Sequence, residues 1–95
     1  MAHRDVGGGA VTSVLEEAQA VISERQAQYG TREENFGRIA AHWSVILGAE
    51  VTPRQVALCM IALKIARECW RPARDNAVDI CGYAHCLAEL NEKEQ

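Results

Sequence analysis

Several things are scarce in this 95-residue chain, and each scarcity closes off a class of protein. Tyr29, Phe36, Trp43, Trp70 and Tyr83 are its only aromatic residues, and Pro53 and Pro72 its only prolines. Few aromatic residues beside a predominance of alanine, glutamate, isoleucine and leucine favour helix over sheet. No apolar run approaches the roughly 18 residues that a membrane span needs, and Met1–Ala10 has no signal-peptide pattern. Basic residues number 10 against 13 acidic ones, for a net charge of −3. The arginines are scattered among acids, so the basic stripe of a nucleic-acid-binding surface is missing. The four cysteines contain no CxxC pair and no zinc-like His/Cys spacing. Cys81 and Cys86 stand about 140° apart on a helix. All four thiols therefore read as small core or near-core residues in a reducing, cytoplasmic setting.

What is present is helical punctuation. Met1–Gly9 reads as a disordered tail, because Gly7, Gly8 and Gly9 offer no packing and much backbone entropy. Ser13 and Glu16 open a first helix reaching about Gln28, with Val14, Ala18, Val21 and Ile22 as its apolar side. Thr31 and Glu34 open a second, in which Phe36, Ala40, Trp43 and Leu47 recur at helical spacing beside Ile39 and Ile46; Gly48 ends it. Thr52, Pro53 and Gln55 open a third. From Val56 to Ala66 that helix is apolar on nearly every side, which predicts cover on most of its circumference, within the chain and across a dimer interface. Trp70-Arg71-Pro72 marks a corner. A fourth helix runs from about Ala73 to Leu90, with Ala77, Ile80, Ala84 and Leu87 in line and Tyr83 and Leu90 beside them. The expectation is all-α: a four-helix antiparallel bundle in one domain over residues 10–92, with a frayed end at 93–95, completed by a second copy.

Some polar residues do not fit a plain core. Lys64 interrupts the most apolar helix, so its ammonium must reach water or meet an acid. Arg67 and Arg71 follow on the same side, a ridge suited to phosphates or to carboxylates of neighbouring helices. Asp75 and Asp79 share a face of the fourth helix, where carboxylates can hold Mg²⁺; Asp75 also suits the helix dipole. Glu33, Glu34 and Asn35 crowd one end of the second helix. Glu34 has an ordinary capping role, whereas Glu33 lies on the core-facing line. Alternating helices would bring this end towards the start of the fourth. Arg25 and Tyr29 share a side of the first helix and could close a pocket.

The residues Arg25, Tyr29-Gly30, Glu34-Asn35-Phe36, Ile39-Ala40, Trp43, Leu63-Lys64-Ile65-Ala66-Arg67 and Asp79-Ile80-x-Gly82-Tyr83-Ala84 resemble a small phage-associated family of domains of unknown function. That family in turn resembles the MazG-like all-alpha nucleotide pyrophosphohydrolases. The second resemblance implies a dimer or tetramer that uses Mg²⁺ to split a nucleoside triphosphate into monophosphate and pyrophosphate. It implies catalytic roles for Glu34, Lys64 and Asp79, nucleotide contacts from Asn35, Lys64, Arg67 and Tyr83, and metal ligation by Glu33, Glu34, Asp75 and Asp79. Asp79 matches the enzymes' ExxD motif, but Asn76 stands in place of its glutamate. Their ExxE motif has no counterpart, since three positions beyond Glu34 lies Gly37. A nucleotide-binding protein without catalysis, or a helical interaction module, remains open beside the enzyme.

Overall fold

The computed structural model describes residues 5–6 and 10–94; most of the expected tail lies outside them. Asp5–Val6 (β1) and Ala10–Val11 (β2) form a two-residue antiparallel ladder, Asp5 opposite Val11. The rest is helix: α1 Val14–Tyr29, α2 Arg32–Leu47, α3 Pro53–Trp70 and α4 Arg74–Glu94. The all-α, four-helix bundle is thus the observed architecture.

Helix starts follow from capping chemistry. Ser13, Thr31 and Thr52 each accept from the backbone N–H three residues on, while Glu16, Glu34 and Gln55 return a side-chain acceptor to the cap's own N–H. Each box satisfies two donors that a helix start leaves free. Gly48 closes α2 in the left-handed region at φ 67°. Gly30, at φ 87°, is needed twice over, because a Cβ there would lie 2.8 Å from Glu34 Oε1 and press on the next helix's capping box.

The turn from α2 to α3 is tied by Ser44, whose hydroxyl donates to Ala40 O at 2.7 Å and accepts from Val51 N–H at 2.8 Å. The corner from α3 to α4 is organised by Glu68. Its carboxylate accepts from Ala73 N–H at 3.1 Å and from Asn76 Nδ2 at 3.0 Å. The helix expected to end near Leu90 continues to Glu94. Arg54 Nε donates to Asn91 Oδ1 at 2.9 Å, and Lys93 stands 3.7 Å from Glu33, so the last turn has partners on α3 and α2.

α4 lies against both α3 and α1, and α2 packs chiefly on α3. Phe36, Ala40, Val56, Ala57, Cys86 and Leu90 form the buried core, flanked by Ile39, Trp43, Val51, Met60, Tyr83 and Leu87. On α4 the buried apolar positions are Val78, Cys86 and Leu90, whereas Ala77 and Ala84 of the expected line are exposed. The larger side chains take the interior, and the alanines, which lose little by facing water, turn outward.

Within one chain α3 buries Val56 and Ala57 and exposes Leu58, Leu63, Ile65 and Trp70; two further expectations are corrected beside it. Cys59 and Cys69 lie on its exposed surface, not in or near the core; Cys86 alone of the four thiols is buried, and all four are free. Ile46 and Leu47, with Val45, project from the last turn of α2 into solvent. The common cause is that neighbouring helices cover only one side of α3 and leave the end of α2 bare.

Candidate functional site

The first and fourth helices frame a cavity of about 120 Å³, with α2 closing one wall. Arg25 and Tyr29 of α1, Arg32, Asn35 and Phe36 of α2, and Asp79, Tyr83 and Cys86 of α4 are among its lining residues. A Cβ on Gly82 would stand 3.9 Å from Ile22, an ordinary contact, so the approach of α1 to α4 here does not depend on that glycine. Phe36 and Tyr83 pack with ring centroids 6.2 Å apart, a tilted aromatic pair on the cavity's inner wall.

Asp79 is the centre of the polar arrangement. Lys64, the lysine that interrupts α3, places Nζ 2.8 Å from Asp79 Oδ2. Arg25 Nη2 lies 3.9 Å from Asp79 Oδ1, and Arg25 Nη1 donates to Tyr83 Oη at 3.3 Å. The Lys64 and Asp79 side chains are only 14% and 15% exposed, so this is a mostly desolvated pair with defined geometry. One carboxylate here meets two cations. On the neighbouring wall Arg32 Nε bonds Glu89 Oε1, and its Nη1 donates to Gln26 Oε1 at 3.1 Å. His85 Nε2 also sits 2.9 Å from Glu89. The hydrogen bond from Arg32 holds the Glu89 carboxyl below the usual carboxylate range, with His85 helping. Burial pushes the Cys86 thiol up.

The sequence-predicted residues divide into two sets. Asn35, Asp79 and Tyr83 line the cavity, with Lys64 joined to them through Asp79; Arg25 and Tyr29 close it as their spacing suggested. The other acids do not converge there. Glu34 is engaged in its capping box, where the Thr31 backbone and hydroxyl lower its pKa. Glu33 faces outward to Lys93, and Asp75 is exposed in the first turn of α4. Arg67 is exposed and is not among the cavity's lining residues. Asn76, standing at the motif's glutamate position, is buried and donates to Glu68, which makes it a corner brace. Among the described residues no three His, Cys, Asp or Glu side chains stand close enough to hold a metal ion together.

Three residues escaped the sequence reading. Arg32 is hidden in the first turn of α2, where its charge resembles a solvated surface group. Glu17, only 3% exposed, accepts from Arg74 Nε at 3.1 Å, and Arg74 also donates to Thr12 O. Nothing in local spacing marks this tether, because its partners are 57 residues apart.

The site therefore belongs to an all-α protein with a mixed aromatic and cationic cavity around one carboxylate. The chain is a member of the family described as Domain of unknown function (DUF6378), whose model matches residues 13–91. It is 42% identical over 85 residues to the Gene 55 protein of Mycobacterium phage L5, covering 86% of this chain and 54% of that protein. It is also 42% identical over 83 residues to the Gene 55 protein of Mycobacterium phage D29, covering 85% and 55%. The chain thus spans about half the length of these relatives. No solved structure matches it. Among the described residues no helix is long and apolar enough to cross a membrane.

Proposed function

We propose that the cavity between α1, α2 and α4 binds the phosphates and base of a nucleotide. The observation that carries this reading is the surplus of cations around Asp79: Lys64 and Arg25 both reach one carboxylate, leaving a positive excess for an anion. Arginine suits forked contacts to phosphate oxygens. Phe36 and Tyr83 offer aromatic faces to a base, and the Asn35 amide both donates and accepts hydrogen bonds. The cytoplasmic homo-oligomer, dimer or tetramer, belongs to the same proposal.

The fuller form of the reading is a MazG-like, Mg²⁺-dependent pyrophosphohydrolase that cuts a nucleoside triphosphate to monophosphate and pyrophosphate. It is favoured by one specific observation: Asp79, which matches the enzymes' motif, and Lys64, to which the resemblance gives a catalytic role, meet beside the cavity. Mg²⁺ is commonly held by one or two carboxylates together with substrate phosphates. Asp79 suits that shared mode, in which no protein cage is required. Lys64, freed from Asp79, would lie within reach of phosphate charge and neutralise it.

The test is a thermal-shift panel of nucleoside triphosphates with and without Mg²⁺, followed by pyrophosphate release. A nucleotide-dependent rise in melting temperature, lost in Arg25→Ala, supports the binding site. Turnover that needs Mg²⁺ and disappears in Asp79→Ala supports the enzyme. Binding without product leaves a nucleotide-binding regulatory protein. If no nucleotide shifts the melting temperature, the site reading is rejected in favour of an interaction module.

A further inference from the structure

The exposed side of α3 has an organisation that a solvated helix face does not need. Gln55, Leu58, Ala62, Ile65 and Cys69 are all exposed and recur at alternating steps of three and four residues. Ile65 is 51% exposed although it lies mid-helix. Cys59 and Ala66 flank this seam and are exposed too. No charge interrupts it from Gln55 to Cys69, whereas an outward helix face ordinarily carries charged or polar residues. Lys64 points the opposite way, to Asp79.

We propose that a second copy of this chain covers the seam, α3 against α3 in antiparallel orientation, about a two-fold axis level with residues 63 and 64. The step pattern is that of coiled-coil a and d positions. Antiparallel pairing about that axis sets Leu58 beside the partner's Cys69 and Ala62 beside the partner's Ile65. Each layer joins a small side chain to a large one, which lets the helices approach while filling the space. A parallel pair would instead stack Ala62 on the partner's Ala62 and Ile65 on the partner's Ile65, alternating a void with a bulge. The interface is isologous, so it closes at two copies without a further free surface of the same kind. It leaves the cavity on the other side of α3 open.

Mass by light scattering reads the first half of the proposal. The unmodified chain elutes as a dimer, and Ile65→Glu elutes at half that mass with its helical circular dichroism retained. A monomeric unmodified chain overturns the proposal, and so does an Ile65→Glu variant that is folded and still dimeric. Cross-linking reads the second half and does not depend on that variant folding. In a Cys59→Ser background, Leu58→Cys treated with diamide as two-electron acceptor forms a covalent dimer joined between position 58 and the partner's Cys69, identified by peptide mass. Links joining only like positions, 58 to 58 or 69 to 69, overturn the antiparallel register.

Discussion

Asp79 and Lys64 show how much one side-chain pair can decide. Removing the acid alone leaves an ammonium that is 14% exposed without its anion, so Asp79→Ala should destabilise the fold by about 1–3 kcal/mol. Replacing both partners with apolar residues of similar size avoids that penalty. We therefore expect Lys64→Met/Asp79→Leu to melt near the parent temperature while losing all nucleotide-dependent stabilisation. A purely structural pair would leave ligand response intact in the double variant, and calorimetric melts with and without nucleotide separate the two. Asn76 makes a second residue-scale case. Restoring the motif's acid with Asn76→Glu would set a second carboxylate against Glu68, which now accepts from Asn76 at 3.0 Å. Urea denaturation should show a loss of about 1–3 kcal/mol, and unchanged stability would refute the corner role. Lys64 was legible in sequence because an unpaired charge in an apolar helix demands an explanation. The fates of Glu33 and Asn76 were not, because whether a carboxylate turns inward and whether an amide braces a corner depend on residues elsewhere in the fold.

Elements were the most legible part of the chain. Serine and threonine caps, paired three positions later with glutamate or glutamine, mark three helix starts, and the structure forms all three boxes. Their physics is local, so no tertiary knowledge is required. The face that each helix buries was less accessible. On α4 the choice between the Ala77–Ala84 line and the Val78–Cys86 line is settled by what α1 and α3 present to it. The last turn of α4 was likewise held by distant partners, Arg54 and Glu33. At this scale the α3–α4 corner should respond to acid. Asn76 first, and then the Ala73 N–H, lower the pKa of Glu68. The native chain therefore binds fewer protons at this group than the unfolded chain does near and below its ordinary pKa. Its contribution is fully present above about pH 4.5, near the unfolded carboxylate value, and is lost as pH falls through the depressed folded value. The Glu89 carboxyl, lowered by Arg32, acts in the same sense. Melting temperature followed from pH 6 downward should drop less steeply in Glu68→Gln than in the parent. An equal slope would remove Glu68 from the acid response.

At the scale of the whole molecule, one chain encloses a modest interior, with Val56 as its largest fully buried side chain. Trp70 is 88% exposed and the seam of α3 is open. If two copies share that seam, folding and association are coupled, and the melting temperature should rise with protein concentration. A melting temperature independent of concentration in the unmodified chain, beside a dimer by mass, would mean that the copies separate before they unfold. The sequence indicated a need for cover on α3, since its apolar residues encircle the helix. It did not show which side the chain supplies, because that depends on where α2 and α4 come to rest.

The burial of Cys86 has a use of its own. Its sulfur sits between the core and the cavity wall, in surroundings that disfavour the reactive thiolate. Alkylation at that position must wait for the helices to part, whereas in the separated chain Cys59 and Cys69 react from the outset. The rate of modification, read peptide by peptide, becomes a clock for the breathing of the bundle. Anything that settles into the cavity should slow that clock without touching the two exposed thiols.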